Sequence, residues 1–292
     1  MTPERRRLVV AVGLAYVEAL AAAVVLGSAL DGRSPLFVAA AADVAATLVV
    51  FGASARHDNS SLYDPYWSVA PCFIVAFWLH AAAPGASLVR GWLVAGLVAV
   101  WAVRLTANCL ARWRTLAHED FRYVEIRRRT GRAWWLSSLV AIHLLPTTWV
   151  FLGLLPLYPA VARPSLPLGW LDGAAALVTA GAIALEATAD LQLRRFLAAR
   201  ADPGAVLDDG LWALSRHPNY LGEVLFWWGL WLFGLAADPS WWWTVAGPLA
   251  ITALFALVSV PWMDRRLEAG HPGYRSRHAG VPALLPRFAS RG

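Results

Sequence analysis

Long apolar runs separated by short polar segments dominate this chain, and several reach or approach the ~20 apolar residues a helix needs to cross a bilayer. They predict spans at Leu8 to Leu30, Leu36 to Ala55, Trp67 to Ala83, Leu88 to Leu110, Trp134 to Tyr158, Leu168 to Ala189, Pro218 to Ala237 and Trp241 to Met263. The third run is short and the fifth contains Pro146, which makes the count about eight, seven to eight. The expected fold is all-α: a polytopic transmembrane helical bundle forming a single membrane domain over residues 1–292. No small-residue cleavage site follows the first run, so that helix is expected to stay.

Composition agrees. Hydrophobic residues make up 59% of the chain, against roughly 45–50% in soluble domains. All 25 basic residues are Arg, and with eight spans 21 of them fall on one side. Only Arg33, Arg90 and Arg163 lie opposite, with Arg104 inside a span. The positive-inside rule then puts both termini in the cytoplasm. Because the Arg residues sit in short loops beside apolar spans, the net charge of +6 is explained by topology and anionic headgroups rather than nucleic acid. An Arg-only, Ala-rich chain points to a GC-rich bacterial genome, hence the bacterial inner membrane. Trp134, Trp135, Trp170, Trp241, Trp242 and Trp243 stand at span ends, where amphipathic rings favour the interface. Cys72 and Cys109 fall inside or at the end of spans, so no disulfide framework is implied.

The polar segment Ala111 to Arg132 carries seven Arg and three acids interleaved with apolar residues, which suits a helix lying on the cytoplasmic surface. G-x-G-x-x-G after a strand, G-x-x-x-x-G-K-S/T, H-E-x-x-H and paired C-x-x-C are all missing. No metal site is expected, and a cofactor pocket would have to be built from helix ends and loops.

The densest polar cluster is Ser215-Arg216-His217-Pro218-Asn219-Tyr220-Leu221-Gly222-Glu223, set directly against the apolar run from Val224 to Ala237. Ionisable groups are costly in a membrane and usually mark a site. Pro218 suits a first helical turn, Asn219 and Glu223 share a face at i, i+4, and Arg216 and His217 lie where an anion would meet a helix N-terminus. Glu186 and Asp190, again i, i+4, could accept hydrogen bonds from hydroxyls or an amide, or pair with Arg residues of a neighbouring loop. Arg104 needs a partner or a water-filled cavity, with Glu186, Asp190 and Glu223 as candidates. Asp64, beside Tyr63, Tyr66 and Trp67, stands at the start of the third span, where a plain N-cap is the simpler reading.

SRHPNYLGE followed by WWGLWL, preceded by EATADLQLRRF and GLW, resembles the membrane steroid 5-alpha-reductase superfamily and within it the bacterial DUF1295 branch. SLYDPYWSVAP, HEDFRY and MDRRLEAGHPGY extend the resemblance over roughly residues 60–286, leaving 1–59 outside. The resemblance implies a helical bundle that binds NADPH from the cytosolic side and passes hydride to the double bond of an apolar, lipid-soluble enone or alkene. Carried over, it places Asp190, Asn219 and Glu223, with Glu186 beside them, at the nicotinamide and ribose. Arg104, Arg194, Arg216, His217, Tyr220, Arg266 and Tyr274 would hold phosphates, ribose or adenine. Asp64, with Tyr66, is the counterpart of the group that polarises a substrate ketone. The chain departs from the pattern at Trp101 and Val103, where the steroid enzymes place a Tyr nearby, and in the acidic segment from Ala201 to Asp209. Related membrane methyltransferases that use S-adenosylmethionine share an RHP-x-Y-x-G motif but carry paired acids where this chain has Asp264-Arg265-Arg266. A non-catalytic lipid-binding protein is the third reading.

Overall fold

The computed structural model describes residues 1–200, 202 and 204–287, and every regular element among them is helical. Two residues of the acidic segment, Ala201 and Pro203, therefore lie outside the described residues. Among the described residues, seven segments are long and apolar enough to cross a membrane: Pro3–Ala29, Pro35–Arg56, Leu88–Arg112, Phe121–Leu154, Trp170–Ala199, Pro218–Ala237 and Pro239–Gly270. The expected third span is the 15-residue helix Tyr66–His80, about 22 Å long against a hydrocarbon layer of about 30 Å. Pro65 precedes it, and a turn through Gly85, at φ +89°, follows it.

The chain divides into two compact units, Met1–Pro167 and Leu168–Gly292. The first begins with α1 (Pro3–Ala29) and α2 (Pro35–Arg56). Each starts on Pro at N1 behind a hydroxyl cap. Thr2 accepts from Arg5 N and Ser34 from Phe37 N, both at 3.3 Å, which satisfies donors that a helix start leaves orphaned. Their facing sides bury Leu8, Val12, Ala15 and Ala53 against Leu62 and Trp113. A 3₁₀ turn, Ser60–Tyr63, leads into α3 (Tyr66–His80), followed by α4 (Leu88–Arg112) and α5 (Phe121–Thr130). The polar segment expected to be one surface helix is thus an irregular stretch plus α5, because Asp120 caps Arg122 N at 2.9 Å and starts the helix late. Arg90, in the first turn of α4, is fully buried. Its guanidinium donates to Ser165 Oγ at 2.9 Å and to the carbonyls of Leu166 and Pro167 at 3.1 and 3.4 Å.

α6 (Trp134–Ser137) passes through the π-turns Ser138–Leu144 into α7 (Leu145–Leu154), and α8 (Leu157–Val161) closes the unit. The π segment ends two residues before Pro146. Proline lacks the N–H that an α-helix needs and crowds the preceding turn, and wider i→i+5 bonding absorbs the mismatch. Trp134 is buried, unlike an interfacial anchor, and forms a platform for the Arg127 guanidinium 4.5 Å from its ring centroid. Trp170, Trp242 and Trp243 are exposed as expected.

The second unit opens with α9 (Trp170–Ala199), whose start is fixed by Asp172 Oδ2 accepting Gly169 N at 2.9 Å. α10 (Pro218–Ala237) crosses it closely. A Cβ on Gly222 would come 2.6 Å from Glu186 Cβ, and one on Gly229 would come 2.3 Å from Thr179 Oγ1. Small residues let the two backbones approach, as is usual between membrane helices. α11 (Ala246–Leu254), the π-turns Phe255–Ser259, α12 (Val260–Gly270) and α13 (Tyr274–Arg277) follow. This π segment again ends two residues before a proline, Pro261. Exposed Val25, Trp92, Leu177 and Leu257 all sit on spans, where hydrocarbon rather than water meets them.

Candidate functional site

Gly222 places Glu186 beside the first turns of α10. Glu186 and Glu223 are both buried, and Glu223 Oε1 accepts from Trp227 Nε1 one turn on, at 2.8 Å. Asn219 lies one turn before Glu223 on the same face. Its Oδ1 is buried and has no hydrogen-bond partner among the described residues. The second unit thus gathers carboxylate and amide oxygens where α10 begins. Such acceptors suit groups that bring N–H or O–H donors. Asp190, half-buried, stands one turn after Glu186, and the exposed Arg194 one turn later.

A second arrangement organises the segment before α10. Asp264, on α12, accepts three hydrogen bonds: from His217 Nε2 at 2.8 Å, from the Tyr274 hydroxyl at 2.8 Å, and from an Arg216 guanidinium nitrogen at 2.9 Å. Arg216 also donates to Val281 O at 2.7 Å. Main-chain bonds run from Arg216 N to Pro282 O, from His217 N to Ala283 O, and from Arg287 N to Leu214 O, at 2.9, 3.0 and 3.0 Å. His217 is 2% exposed and stacks on Tyr220 with centroids 5.1 Å apart. Tyr274 is buried, and that burial, reinforced by the Asp264 carboxylate, raises its phenol above the ordinary range. The resemblance implies that these three side chains hold the phosphates, ribose or adenine of a cofactor. The structure shows their donors directed at Asp264, with His217 and Tyr274 shut away from solvent. Sequence reasoning had met Asp264 only in a comparison of tail motifs, because its partners lie 47, 48 and 10 residues away. Arg266, two residues further along α12, is exposed.

The first unit holds Asp64, Tyr66 and Arg104. Asp64 and Tyr66 turn to different partners. Asp64 Oδ1 accepts from the Tyr123 hydroxyl at 2.5 Å, and burial pushes its carboxyl from an ordinary 3.8 up to about 7, with Arg122 opposing. Tyr66 donates to Asp43 Oδ1 at 3.1 Å. Asp43 Oδ2 is buried with no partner among the described residues. Beside this pair, the Tyr63 hydroxyl lies 2.7 Å from Thr147 Oγ1, itself 2.9 Å from Thr47 Oγ1. Asp43 went unremarked in the sequence although it is the one carboxylate in the run Leu36 to Ala55. Its position inside a span was the signal. Arg104 is half-buried on α4. His143 is buried between Ser54 Oγ at 3.1 Å and Ser138 O at 2.9 Å. No group of His, Cys, Asp and Glu among the described residues could hold a metal ion.

Comparison with known proteins gives two matches. A family model described as a protein of unknown function, DUF1295, matches residues 50–279. That range holds Glu186, Asn219, Glu223, Asp264 and Tyr274, and leaves out Asp43 and α1. Uncharacterized protein C594.04c of Schizosaccharomyces pombe is 28% identical over 265 residues, covering 82% of this chain and 76% of the relative. No solved structure matches the chain.

Proposed function

We propose that this chain, which belongs to the DUF1295 family, a steroid 5-alpha-reductase-like family, is a membrane-embedded reductase of an apolar, lipid-soluble enone or alkene that takes its hydride from NADPH. The seven membrane-length apolar segments among the described residues support an integral membrane protein. We place it in a bacterial cell membrane on the Arg-only, Ala-rich composition, with the cofactor entering from the Arg-rich side. The observation that carries the reading is the Asn219 Oδ1, a buried acceptor without a donor, beside the carboxylates of Glu186 and Glu223.

The donor set fits a nicotinamide nucleotide at its nicotinamide and ribose end. Asn219 and Glu223 would accept the carboxamide N–H groups, and Glu186 and Asp190 the ribose hydroxyls. Arg194 and Arg266 carry the charge a phosphate needs. Arg216, His217 and Tyr274 we assign instead to holding the segment before α10 in place through Asp264, with Tyr220 packed on His217. When bound, the nucleotide supplies the hydride.

Hydride addition to an enone builds negative charge on the carbonyl oxygen, and a positioned acid must stabilise or protonate it. Asp64 was the sequence candidate, but its Oδ1 is engaged by Tyr123. Asp43, in the same unit, holds the Tyr66 hydroxyl on Oδ1, and its Oδ2 is buried with no partner among the described residues. Asp64 is then proposed to anchor the loop that precedes α3. Binding a methyl donor is disfavoured because Asp264, the remaining acid of the tail motif, is saturated by internal donors.

Equilibrium binding of NADPH and of S-adenosylmethionine to the purified protein in detergent tests the reading. Saturable NADPH binding, lost in Asn219→Ala and weakened in Glu223→Gln, which keeps an acceptor for Trp227 Nε1, with thermal stability nearly unchanged in both, is the expected result. Saturable methyl-donor binding with no nicotinamide binding would sink it, and binding of neither would favour a non-catalytic lipid-binding protein.

A further inference from the structure

We propose that a groove along α1 and α2 is a binding site for an anionic phospholipid whose headgroup carries hydroxyls. Arg7, Val10, Ala11, Leu14, Ala15 and Glu18 recur at helical spacing and form one stripe of α1. With Ala53, Arg56 and His57 of the α2 end they line a cavity of about 400 Å³. Ala11, Ala15 and Ala53 are buried and too short to fill the space, so they make a floor. Val10 and Leu14 are exposed on a membrane-spanning helix and make a wall. Hydrocarbon is the natural occupant of such a channel.

Charge selects the kind of lipid. Arg7 has no acidic partner among the described residues. Arg56 reaches Glu18 only at 3.8 Å, with both side chains exposed, a contact that holds little energy. The groove therefore presents net positive charge where α1 begins and α2 ends, the depth at which a phosphate sits above its acyl chains.

A second cavity, of about 550 Å³, adjoins the first and shares His57 and Leu116 with it. Its lining is polar, including Asp58, His118, Glu119 and Arg127. Asp58 is held at φ +49°, in the left-handed region, and its carboxylate receives Arg127 Nη1 at 2.8 Å. Beside that ion pair the cavity offers the carboxylate of Asp58 and the imidazoles of His57 and His118. Glycerol hydroxyls, which both donate and accept, match that mixture better than a trimethylammonium group, which does neither. The site does not rest on the reductase reading, since α1 and Arg7 lie before residue 50, where the family match begins.

Phosphatidylglycerol, phosphatidylcholine and free glycerol 3-phosphate are to be compared as additives to the purified full chain in neutral detergent, by native mass spectrometry and thermal unfolding. Phosphatidylglycerol alone should be retained and raise the unfolding temperature. Arg7→Gln with Arg56→Gln should weaken its retention roughly tenfold or more, from about 1 kcal/mol per surface Arg. Leu14→Trp, which fills the channel without altering charge, should weaken it too. Arg128→Gln with Arg129→Gln, on the exposed face of α5, removes the same charge away from the groove and should leave retention unchanged. Equal retention of phosphatidylcholine, an equal effect of glycerol 3-phosphate, or an equal loss in the α5 pair would each overturn the assignment.

Discussion

The Nε2 of His217 lies 2.8 Å from Oδ1 of Asp264, joining the segment before α10 to α12 across 47 residues. His217 is buried and Asp264 partly so, and Arg216 and Tyr274 complete the carboxylate's shell. Hydrogen bonds to a charged group contribute about 1.5–3 kcal/mol each, and leaving their donors stranded costs more than the bond itself. Asp264→Ala should therefore lower the unfolding temperature clearly and speed proteolysis within residues 281–287, while Asp264→Asn recovers part of the loss. Unaltered cleavage of the tail in Asp264→Ala would show that the carboxylate is not what holds it.

Gly222 and Gly181 make a matched pair. A methyl group at 222 meets Glu186 Cβ and the Ala182 carbonyl, whereas one at 181 meets nothing within 4 Å. Gly222→Ala should destabilise by about 1–3 kcal/mol through overpacking, and it should displace Glu186. Gly181→Ala should be neutral, or stabilise by up to about 1 kcal/mol through helix propensity. Thermal unfolding in detergent measures both.

Asp64 supplies a pH dependence. Its carboxyl titrates near 7 when folded and near 3.8 in an ordinary setting, burial being the first cause. Between those values the folded chain binds more protons than the unfolded one, so this group's contribution to stability falls as pH rises from about 4 to 7. Asp64→Asn should flatten the stability profile in that window and raise stability at its upper end. A wild-type curve that instead climbs from pH 4 to 7 because of this residue would be incompatible with a buried carboxyl bonded to Tyr123.

Asp43→Asn keeps an acceptor for the Tyr66 hydroxyl and should cost little stability, whereas Asp43→Ala strands that buried hydroxyl and should lower the unfolding temperature by an amount equivalent to about 1–3 kcal/mol. Equal losses in the two variants, read by thermal unfolding in detergent, would show that the bond to Tyr66 is not what the carboxyl contributes.

The helices were legible because uninterrupted apolar runs leave a chain in lipid one way to satisfy its backbone. The exception, Tyr66–His80, is shortened by Pro65 ahead of it and the Gly85 turn behind it, both visible in the sequence but outweighed by the apolar run between them. Glu186 with Asp190, and Asn219 with Glu223, were readable from i, i+4 spacing, since a helix brings such residues together without any long-range contact; the meeting of Glu186 with α10 depends on the close approach at Gly222. What spacing could not supply was the convergence of Arg216, His217 and Tyr274 on one acid, or the turning of Asp64 and Tyr66 to different partners two residues apart. Asp43 was readable and overlooked, being a lone charge with no neighbour to form a pattern.

The main-chain bonds from 214–217 to residues 282–287 also set an order of assembly. During synthesis α9 and α10 can be inserted and packed through Gly222 and Gly229 while the tail is still inside the ribosome, but the segment leading into α10 must wait for it. The start of α10 is therefore fastened last, so a nascent chain stalled before Pro282 would have its helices inserted and the segment before α10 still untied.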